Sequence, residues 1–215
     1  ELKEISKVLL KYPKIQILSD DIYEKISFIK EKVYSILEVE KKLKDRTLLV
    51  NGVSKAYAMT GWRIGYCAGP TNLISGMKIV QSHSTSNPTS ISQYASLEAL
   101  EGNQKYQKKF KKIFKKRRNY ICKLLAKIEG LHFIKPKGSF YVFVSISSFI
   151  NKKRDDKKII KNDGDFCLSL LEENGVALVP GTAFGLKNYV RISFSVNKKI
   201  IKEACKQINE FCKSF

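Results

Sequence analysis

The spacing of apolar and polar residues predicts that helices and strands alternate in the first part of the chain. Residues 1–12 carry apolar side chains at helical intervals, and Pro13 ends that pattern. Two aliphatic runs, 15–18 and 47–50, predict buried strands, and polar residues follow each run at once. A third strand is expected within residues 62–69. Strands that alternate with helices over roughly the first 80 residues indicate an α/β fold.

Longer helical patterns occupy the middle of the chain. Thr71 is a suitable N-cap for a helix that continues to residue 84. Residues 91–128 also show helical spacing, and they include a lysine-rich run. This region is expected to join the first part of the chain to the last.

The last part of the chain predicts a smaller α+β unit of roughly 90 residues. Strands are expected over 140–144 and 189–196, and a helix is expected to close at Gly175. A final helix is expected over 197–213. The face of that helix expected to be buried consists of Ile200, Ile201, Ala204, Cys205, Ile208 and Phe211.

The net charge of +20 changes this picture only if the basic residues form a binding surface. Residues 105–118 hold nine positive charges in fourteen positions, which is a pattern typical of nucleic-acid binding. However, Tyr106, Phe110 and Phe114 recur at every fourth position and predict one apolar stripe on a helix. Arginine, the better reader of phosphates and bases, occurs six times against thirty-four lysines. We interpret the run as a solvated helix face and expect no nucleic-acid partner.

Composition favours an intracellular globular protein. The apolar fraction of 43% is enough for a core. No apolar run approaches the roughly 18 residues of a membrane span, so no membrane partner is expected. The five cysteines are widely spaced, with no C-x-x-C pair and no Cys/His cluster. We expect reduced, mostly buried thiols in a cytoplasmic protein, and no metal site.

Candidate chemistry is concentrated where the first two predicted strands end. The segments "SDDIYEKI" and "SKAYAMTGWR" follow those strands. Ligands of α/β sheets gather at the carboxyl ends of strands, so Asp20, Tyr23, Ser54 and Lys55 face one cleft if the two strands are parallel. Lys55 is unusual in this lysine-rich chain because nearly all its neighbours are uncharged. Uncharged surroundings favour a neutral amine, which is the reactive form of lysine.

Five motifs carry a resemblance to a known family. "SKAYAMTGWRIGY" is similar to the cofactor-lysine motif of the class I aminotransferases, fold type I enzymes that use pyridoxal 5'-phosphate. "SDDIYEKI" resembles the S-D-E-I-Y-E segment of the branch that contains bacterial aspartate aminotransferases, and "KPKGSFYVFV" resembles its P-x-G-A-F-Y segment. "ALVPGTAFG" followed by "YVRISFS" is similar to its carboxylate-binding stretch, and "QSHSTSNPTSISQYASLEAL" also fits. The motifs keep the family's order along nearly the whole chain.

The resemblance implies roles for five residues. Lys55 would hold pyridoxal 5'-phosphate covalently and move the proton during transfer. Asp20 would pair with the pyridine nitrogen, and Tyr23 would bond the ring oxygen O3′. Arg63 would bind the cofactor phosphate through its planar fork. Arg191 would bind the α-carboxylate of the substrate in the same way.

Three neighbouring residues are weaker candidates. Ser54 either bonds the cofactor phosphate or simply precedes the lysine. Trp62 is expected to pack beside the site without contacting substrate, and Tyr141 is expected only to pack.

The resemblance also implies a domain organisation and a missing part. Residues 1–100 would be the C-terminal part of the large, cofactor-binding domain, and 101–215 the connecting helix and the small domain. The family's chains are close to twice as long, and their N-terminal half has no counterpart here. The sequence also begins in mid-pattern without methionine, which suggests a fragment or a shortened gene. We therefore expect an exposed sheet edge, an uncovered apolar face, and poor folding or inactivity of the chain alone.

The expected function is transfer of an amino group from an L-amino acid to a 2-oxo acid. Aspartate with 2-oxoglutarate is the expected pair, and a homodimer is the expected assembly. The same fold and lysine also support lyase chemistry, although "AMTGWR" favours the transferase. An inactive remnant and, more remotely, a basic nucleic-acid-binding protein remain as alternatives.

Overall fold

The computed structural model describes residues 1–215, which divide into two compact units, Glu1–Lys111 and Lys112–Phe215. The strands of the first unit are β1 (Ile17–Asp20), β2 (Thr47–Asn51) and β3 (Tyr66–Ala68). Its helices are α1 (Leu2–Lys11), α2 (Ile36–Val39), α3 (Thr71–Ser84) and α4 (Ser90–Glu101). A fifth helix, α5 (Lys105–Leu125), begins in the first unit and ends in the second. None of the helices has both the length and the apolar character that a bilayer span requires.

The first unit is built on a three-stranded sheet in the order β1-β2-β3. β1 and β2 are parallel, and β3 runs antiparallel to β2. The parallel pair meets the condition under which the residues after the first two strands face one cleft. The third strand is shorter than predicted because Thr60–Trp62 forms a 3-10 turn and Arg63 adopts a left-handed backbone with φ of 52°. Thr71 is the first helical residue of α3 rather than its N-cap, which is Pro70.

Arg46 joins α1 to the start of β2. Its guanidinium donates to the carbonyl oxygens of Leu9, Tyr12 and Ile15 at 2.6 to 3.0 Å. Leu9 and Tyr12 also accept backbone amides through these carbonyls, so the guanidinium adds second, charge-assisted bonds where the chain leaves α1. Together with Pro13, they end α1 at the predicted place.

Apolar side chains of the first unit lie open to solvent, which confirms the expectation of an uncovered face. Leu18 on β1 is exposed, and β1 and β3 are both edge strands. α3 contains no buried residue, although Ile79 and Val80 are among its side chains. On α4 the buried side chains are the small Ser92 and Ser96.

The second unit is an antiparallel sheet with helices packed on it. Its strands are β4 (His132–Phe133), β5 (Tyr141–Ser145), β6 (Val179–Pro180) and β7 (Tyr189–Ser193), in the order β4-β5-β7-β6. Its helices, besides the end of α5, are α6 (Asp163–Asn174) and α7 (Lys198–Cys212). α6 contacts β6, β7 and α7. Gly175 ends α6 in the left-handed conformation, as predicted.

Two predicted apolar stripes differ from the structure, and Ala204 of the expected α7 face is only half-buried. Ile200 is exposed, because the buried stripe of α7 follows Ile201, Cys205, Ile208 and Cys212, and Ile200 lies about 100° away around the helix. Tyr106 is also exposed, because the buried residues of α5 all lie in its second half.

Candidate active site

The carboxyl ends of β1 and β2 meet at one end of the first unit's sheet. Asp20 lies beside Val50 in the parallel register, and the amide of Asp21 donates to the carbonyl of Val50 at 2.9 Å. β3 begins at this same end, because Tyr66 is paired with Asn51. The segment after β1 and both ends of the loop 52–65 therefore leave the sheet together. We call this region the carboxyl end of the sheet.

The segments at the carboxyl end pack closely on one another. A Cβ on Gly52 would lie 3.1 Å from Cδ1 of Ile22 and 3.2 Å from Cα of Gly65. The side-chain amide of Asn51 donates to Oε1 of Glu24 at 3.2 Å. Glycine at position 52 thus permits an approach that a larger residue would obstruct. The close packing holds the segment after β1 against both ends of the loop that carries Lys55 and Arg63.

Lys55 lies in a turn within this loop and is half-buried. Within the turn, the amide of Tyr57 donates to the carbonyl of Val53, and the amide of Ala58 donates to the carbonyl of Lys55. The ammonium group of Lys55 makes no hydrogen bond and no salt bridge in this structure. Burial of a lysine residue includes its aliphatic stem, and the unpaired ammonium group at the end of that stem is available to a ligand. Lys55 therefore has the properties of a functional group.

Side chains near α4 hold the same loop in place. The hydroxyl of Tyr57 donates to Oε1 of Gln104 at 2.8 Å. The amide nitrogen of Gln104 in turn donates to the carbonyls of Ala99 and Gly102. The hydroxyl of Ser92 donates to the carbonyl of Trp62 at 2.8 Å. Tyr57, at the start of the segment 57–62, is thereby joined to the C-terminal end of α4 through Gln104. Trp62, at its end, is joined to the buried face of α4 through Ser92.

The two adjacent acids at the end of β1 have different partners. The hydroxyl of Ser19 donates to the carboxylate of Asp21 at 2.9 Å. The carboxylate of Asp20 accepts only the backbone amide of Ile22, at 3.2 Å, and it is exposed. Asp20 retains acceptor capacity for a ligand. Tyr23, three residues further on, is half-buried.

Arg63 presents most of its guanidinium to solvent. Nη1 donates to the carbonyl of Thr60 at 2.7 Å, and this bond holds the side chain over the preceding 3-10 turn. Its other N–H groups have no protein partner. A planar fork of free donors is suited to a phosphate or carboxylate.

The donor set at the carboxyl end fits pyridoxal 5'-phosphate. The set consists of an amine, a carboxylate, a phenol and a guanidinium, from Lys55, Asp20, Tyr23 and Arg63. The cofactor presents an aldehyde, a ring nitrogen, a ring hydroxyl and a phosphate, which these groups complement in turn. The structure contains no group of three or more His, Cys, Asp or Glu side chains placed to hold a metal ion.

Arg191 belongs to the second unit, on β7. It is paired across the strands with Phe143 of β5 and Val179 of β6. Its guanidinium carbon lies 4.2 Å from the ring centre of Tyr141 and 4.2 Å from that of Phe184. It makes no hydrogen bond and no salt bridge. A half-buried guanidinium without an acidic partner is available to a carboxylate ligand.

The buried cysteines offer no nucleophile. Burial raises the pKa of the Cys167 thiol to about 11, and raises the pKa values of Cys205 and Cys212 to about 12. Because the thiolate is the reactive form, these thiols are inert at neutral pH. Four of the five cysteines are buried and all are free, which confirms the prediction of mostly buried thiols.

Several contacts at these positions were not anticipated from the sequence. Tyr141 was expected only to pack, yet it lies against Arg191. Phe184 was not singled out, although its position between Gly181 and Gly185 is a signal for a constrained turn. Sequence periodicity does not predict the hydrogen bond between Tyr57 and Gln104, because the two residues are 47 positions apart.

Comparison with known proteins places the chain in a family. Residues 1–208 match the family model for aminotransferase class I and II. A probable aspartate/prephenate aminotransferase from Rickettsia typhi is 49% identical over 212 residues, which are 99% of this chain and 53% of that relative. An aspartate aminotransferase from Rhizobium meliloti is 46% identical over 213 residues, 99% of this chain and 52% of the relative.

Solved structures show the same relationship. The crystal structure of the aspartate aminotransferase from Rhizobium meliloti superposes with a TM-score of 0.93 at 45% identity, over 98% of this chain and 52% of that one. The aromatic aminotransferase from Pyrococcus horikoshii gives a TM-score of 0.85 at 33% identity, over 99% of this chain and 54% of that one. The chain spans about half the length of the curated relatives it matches. With the family model matched over residues 1–208 and the fold shared with solved members, the chain belongs to the class I and II aminotransferases.

Proposed function

We propose that this chain carries the cofactor lysine and the carboxylate-binding arginine of an aminotransferase that uses pyridoxal 5'-phosphate. The observation that carries the proposal is the half-buried residue Lys55, whose ammonium group has no partner, in a loop that leaves the carboxyl end of parallel strands beside Asp20. When bound, the cofactor supplies an aldehyde that accepts an amino group and a ring that takes up electrons.

Each of the four side chains at the carboxyl end has one task in this proposal. Lys55 would hold the cofactor covalently through its amine and would move the proton at Cα of the substrate. The carboxylate of Asp20 accepts the N–H of the pyridine ring and keeps that nitrogen protonated. The phenol of Tyr23 binds the ring oxygen O3′. Arg63 binds the phosphate through its free N–H groups.

Arg191 binds the α-carboxylate of the substrate in this proposal. Its guanidinium has no acidic partner of its own, so an incoming carboxylate does not have to displace one. A bidentate contact also fixes the direction of the substrate, which places Cα relative to the reacting groups.

The substrates, assembly and compartment are parts of the same proposal. Aspartate and 2-oxoglutarate are the proposed pair, supported by relatives described as aspartate or aspartate/prephenate aminotransferases. A homodimer is supported by the apolar side chains that α3 and α4 expose. A cytoplasmic location is supported by the five free cysteines.

Cofactor attachment to Lys55 tests the proposal directly. The purified chain is mixed with pyridoxal 5'-phosphate, its visible absorbance is recorded, and borohydride reduction followed by peptide mass spectrometry locates the attached group. We expect a protein-bound band and a label on Lys55, both absent in Lys55→Ala and both retained in Lys78→Ala, which removes an exposed lysine of α3.

Two results would contradict the proposal. A label that spreads over surface lysines and survives Lys55→Ala would show adventitious reaction of an aldehyde with a chain of thirty-four lysines. Absence of any band would show that this chain alone does not hold the cofactor. If the band forms, its change on addition of aspartate but not of the D-enantiomer tests the proposed amino donor.

A further inference from the structure

We propose that Tyr141 and Phe184 are positioning residues, which hold the guanidinium of Arg191 in one orientation so that its N–H groups present a ready fork to a carboxylate. The inference rests on the proposed role of Arg191. It assigns to two aromatic side chains a function that neither the family resemblance nor the sequence pattern indicated. We call Arg191, Tyr141 and Phe184 the arginine clamp.

The guanidinium of Arg191 lies over two aromatic rings at once. Both ring centres lie 4.2 Å from the guanidinium carbon of Arg191, well inside the roughly 6 Å limit of a cation–π contact. Stacking occupies the faces of a guanidinium and leaves the in-plane N–H groups at its edge. Those N–H groups have no protein acceptor. The arginine is therefore held without consuming the donors that a carboxylate needs.

The sheet places one aromatic ring beside Arg191. Residues on neighbouring strands alternate between the two faces, and Phe143 is the cross-strand partner of Arg191. Tyr141, two positions before Phe143, lies on the same face. The residues on the opposite face are buried aliphatic side chains: Val142, Val144, Val190 and Ile192. One face of the β5–β7 pair thus serves the core, and the other carries the arginine and its aromatic neighbours.

A turn with no spare room supplies the second ring. Phe184 ends the 3-10 turn Gly181–Phe184, and Gly185 follows with φ of 75°. A Cβ on Gly181 would lie 2.8 Å from the carbonyl oxygen of Tyr189 and even closer to the carbonyl oxygen of Leu186. Only glycine fits at this position. The buried carboxylate of Asp163 accepts the amide of Thr182 at 2.7 Å and anchors the turn to α6.

The exposure of Phe184 argues against a purely structural role. Its side chain is 46% exposed, so it contributes little to the apolar core. Its contacts are an edge-to-face arrangement with Phe143, with ring centres 5.6 Å apart, and the stack on Arg191. A constrained turn that keeps a phenyl ring at the surface and against an arginine is best explained by the orientation of that arginine.

Pre-organisation has a measurable consequence for binding. A free arginine side chain loses rotamer freedom when it binds a carboxylate, whereas a stacked one has already lost it. Removal of one ring should weaken carboxylate binding roughly three- to tenfold. The effect should depend on the ring and not on the phenolic hydroxyl of Tyr141.

The test uses the 215-residue chain, succinate as the probe, and no cofactor. Nuclear magnetic resonance of the Arg191 Nε–Hε group, assigned with Arg191→Lys, reports the stack, since ring currents shift that signal upfield. Titration with succinate reports binding. We expect Phe184→Leu to move the signal toward that of a free arginine and to weaken succinate binding three- to tenfold. Tyr141→Phe should preserve both, and Arg191→Lys should abolish saturable binding.

The outcomes separate the clamp from the proposed function. If wild-type protein binds succinate through Arg191 and Phe184→Leu binds it equally well, the clamp is overturned and the role of Arg191 stands. If Tyr141→Phe is as damaging as Phe184→Leu, the hydroxyl matters and the stacking account is wrong. If succinate binding survives Arg191→Lys, the carboxylate role of Arg191 and the clamp fail together. Attachment of the cofactor at Lys55, measured on the same samples, remains an independent result in each case.

Discussion

The guanidinium of Arg154 donates to both carboxylate oxygens of Glu173, from Nη1 at 2.8 Å and from Nη2 at 2.5 Å. The Arg154 side chain is only 6% exposed, its Nε donates to the hydroxyl of Ser214, and its guanidinium carbon lies 4.5 Å from the ring centre of Phe211. Arg154 and Arg191 are thus opposite cases within one unit. Arg191 retains free donors for a ligand, whereas Arg154 uses its fork to join α6 to the end of the chain.

Arg154→Ala is expected to lower the free energy of unfolding by about 3 kcal/mol, because it removes a buried guanidinium together with its bidentate bond to Glu173. The control is Lys158→Ala. Lys158 also approaches Glu173, at 3.6 Å, but its side chain is 65% exposed, and the expected change is below about 0.5 kcal/mol. Urea titrations followed by circular dichroism compare the two variants. Equal losses would show that the pair at Arg154 contributes no more than a surface charge.

Two carboxylates predict how stability depends on pH. The hydrogen bond from Arg154 is the main cause that lowers the pKa of Glu173. Burial alone would raise the pKa of Asp163, but the hydrogen bonds that it accepts, chiefly from Thr182, lower that pKa overall. In the folded protein both carboxylates have pKa values below those of the unfolded chain, which are about 4. Their stabilisation is complete above the unfolded values and is lost as the pH falls toward and through the folded values.

The thermal midpoint should therefore change little from pH 7 to about 5 and fall steeply at lower pH. Asp163→Asn keeps an oxygen that can accept the Thr182 amide but does not titrate, so it should flatten the fall. Glu173→Gln should flatten it as well. An acid profile identical to that of the wild type in both variants would show that other carboxylates control the loss.

The kind and order of elements near the site could be predicted from the sequence, because aliphatic runs and turn residues there carry local signals. The run 47–50 became β2 with one added residue, whereas the run 15–18 became β1 over Ile17–Asp20, so Asp20 ends that strand and does not follow it. The two strands are parallel, which is the condition that the shared cleft required. The position of Asp20 and Lys55 at one end of the sheet needed only the rule that parallel strands finish together. The family motifs then distinguished Lys55 from the other lysines of the chain.

Long-range contacts had no such signal. Tyr141 reaches Arg191 across 50 positions through strand pairing, and Phe184 reaches it across seven positions through the geometry of a turn. Periodicity encodes neither contact. Ile200 was placed on the buried face by its apolar character, but the core selects the stripe through Ile201 and Ile208. Tertiary packing decides between neighbouring stripes that look equivalent in sequence.

Gly181 should be far less tolerant of alanine than Gly175. A Cβ at 181 would overlap the backbone of the following loop and lie 2.8 Å from Cβ of Tyr189, so the turn has to move. We expect Gly181→Ala to lower the free energy of unfolding by about 3 kcal/mol. Gly175 has φ of 67° but no atom within 4 Å of an added Cβ, so only backbone strain of about 1 to 2 kcal/mol opposes the change. Thermal or urea unfolding of the two alanine variants measures the difference, and equal losses would contradict the steric account.

The exposed apolar face of α4 gives the last prediction. Ile91 is 73% exposed and Tyr94 is 75% exposed, on a helix whose buried side chains are serines. Such a surface favours association with other protein surfaces. We expect the chain to bind the dye ANS and to self-associate in sedimentation velocity experiments as its concentration rises.

The double substitution Ile91→Glu with Tyr94→Glu should reduce both the dye binding and the association. The urea midpoint should stay nearly the same, because neither side chain is packed in the unit. Ile134→Glu is the matched control, since Ile134 is 88% exposed but belongs to the second unit, outside this face. A wild-type chain that stays monomeric and does not increase the fluorescence of ANS would contradict the prediction. If Ile134→Glu reduces the self-association equally, general surface hydrophobicity causes the association. If only the α4 pair reduces it, the α4 face is the surface that another protein chain covers.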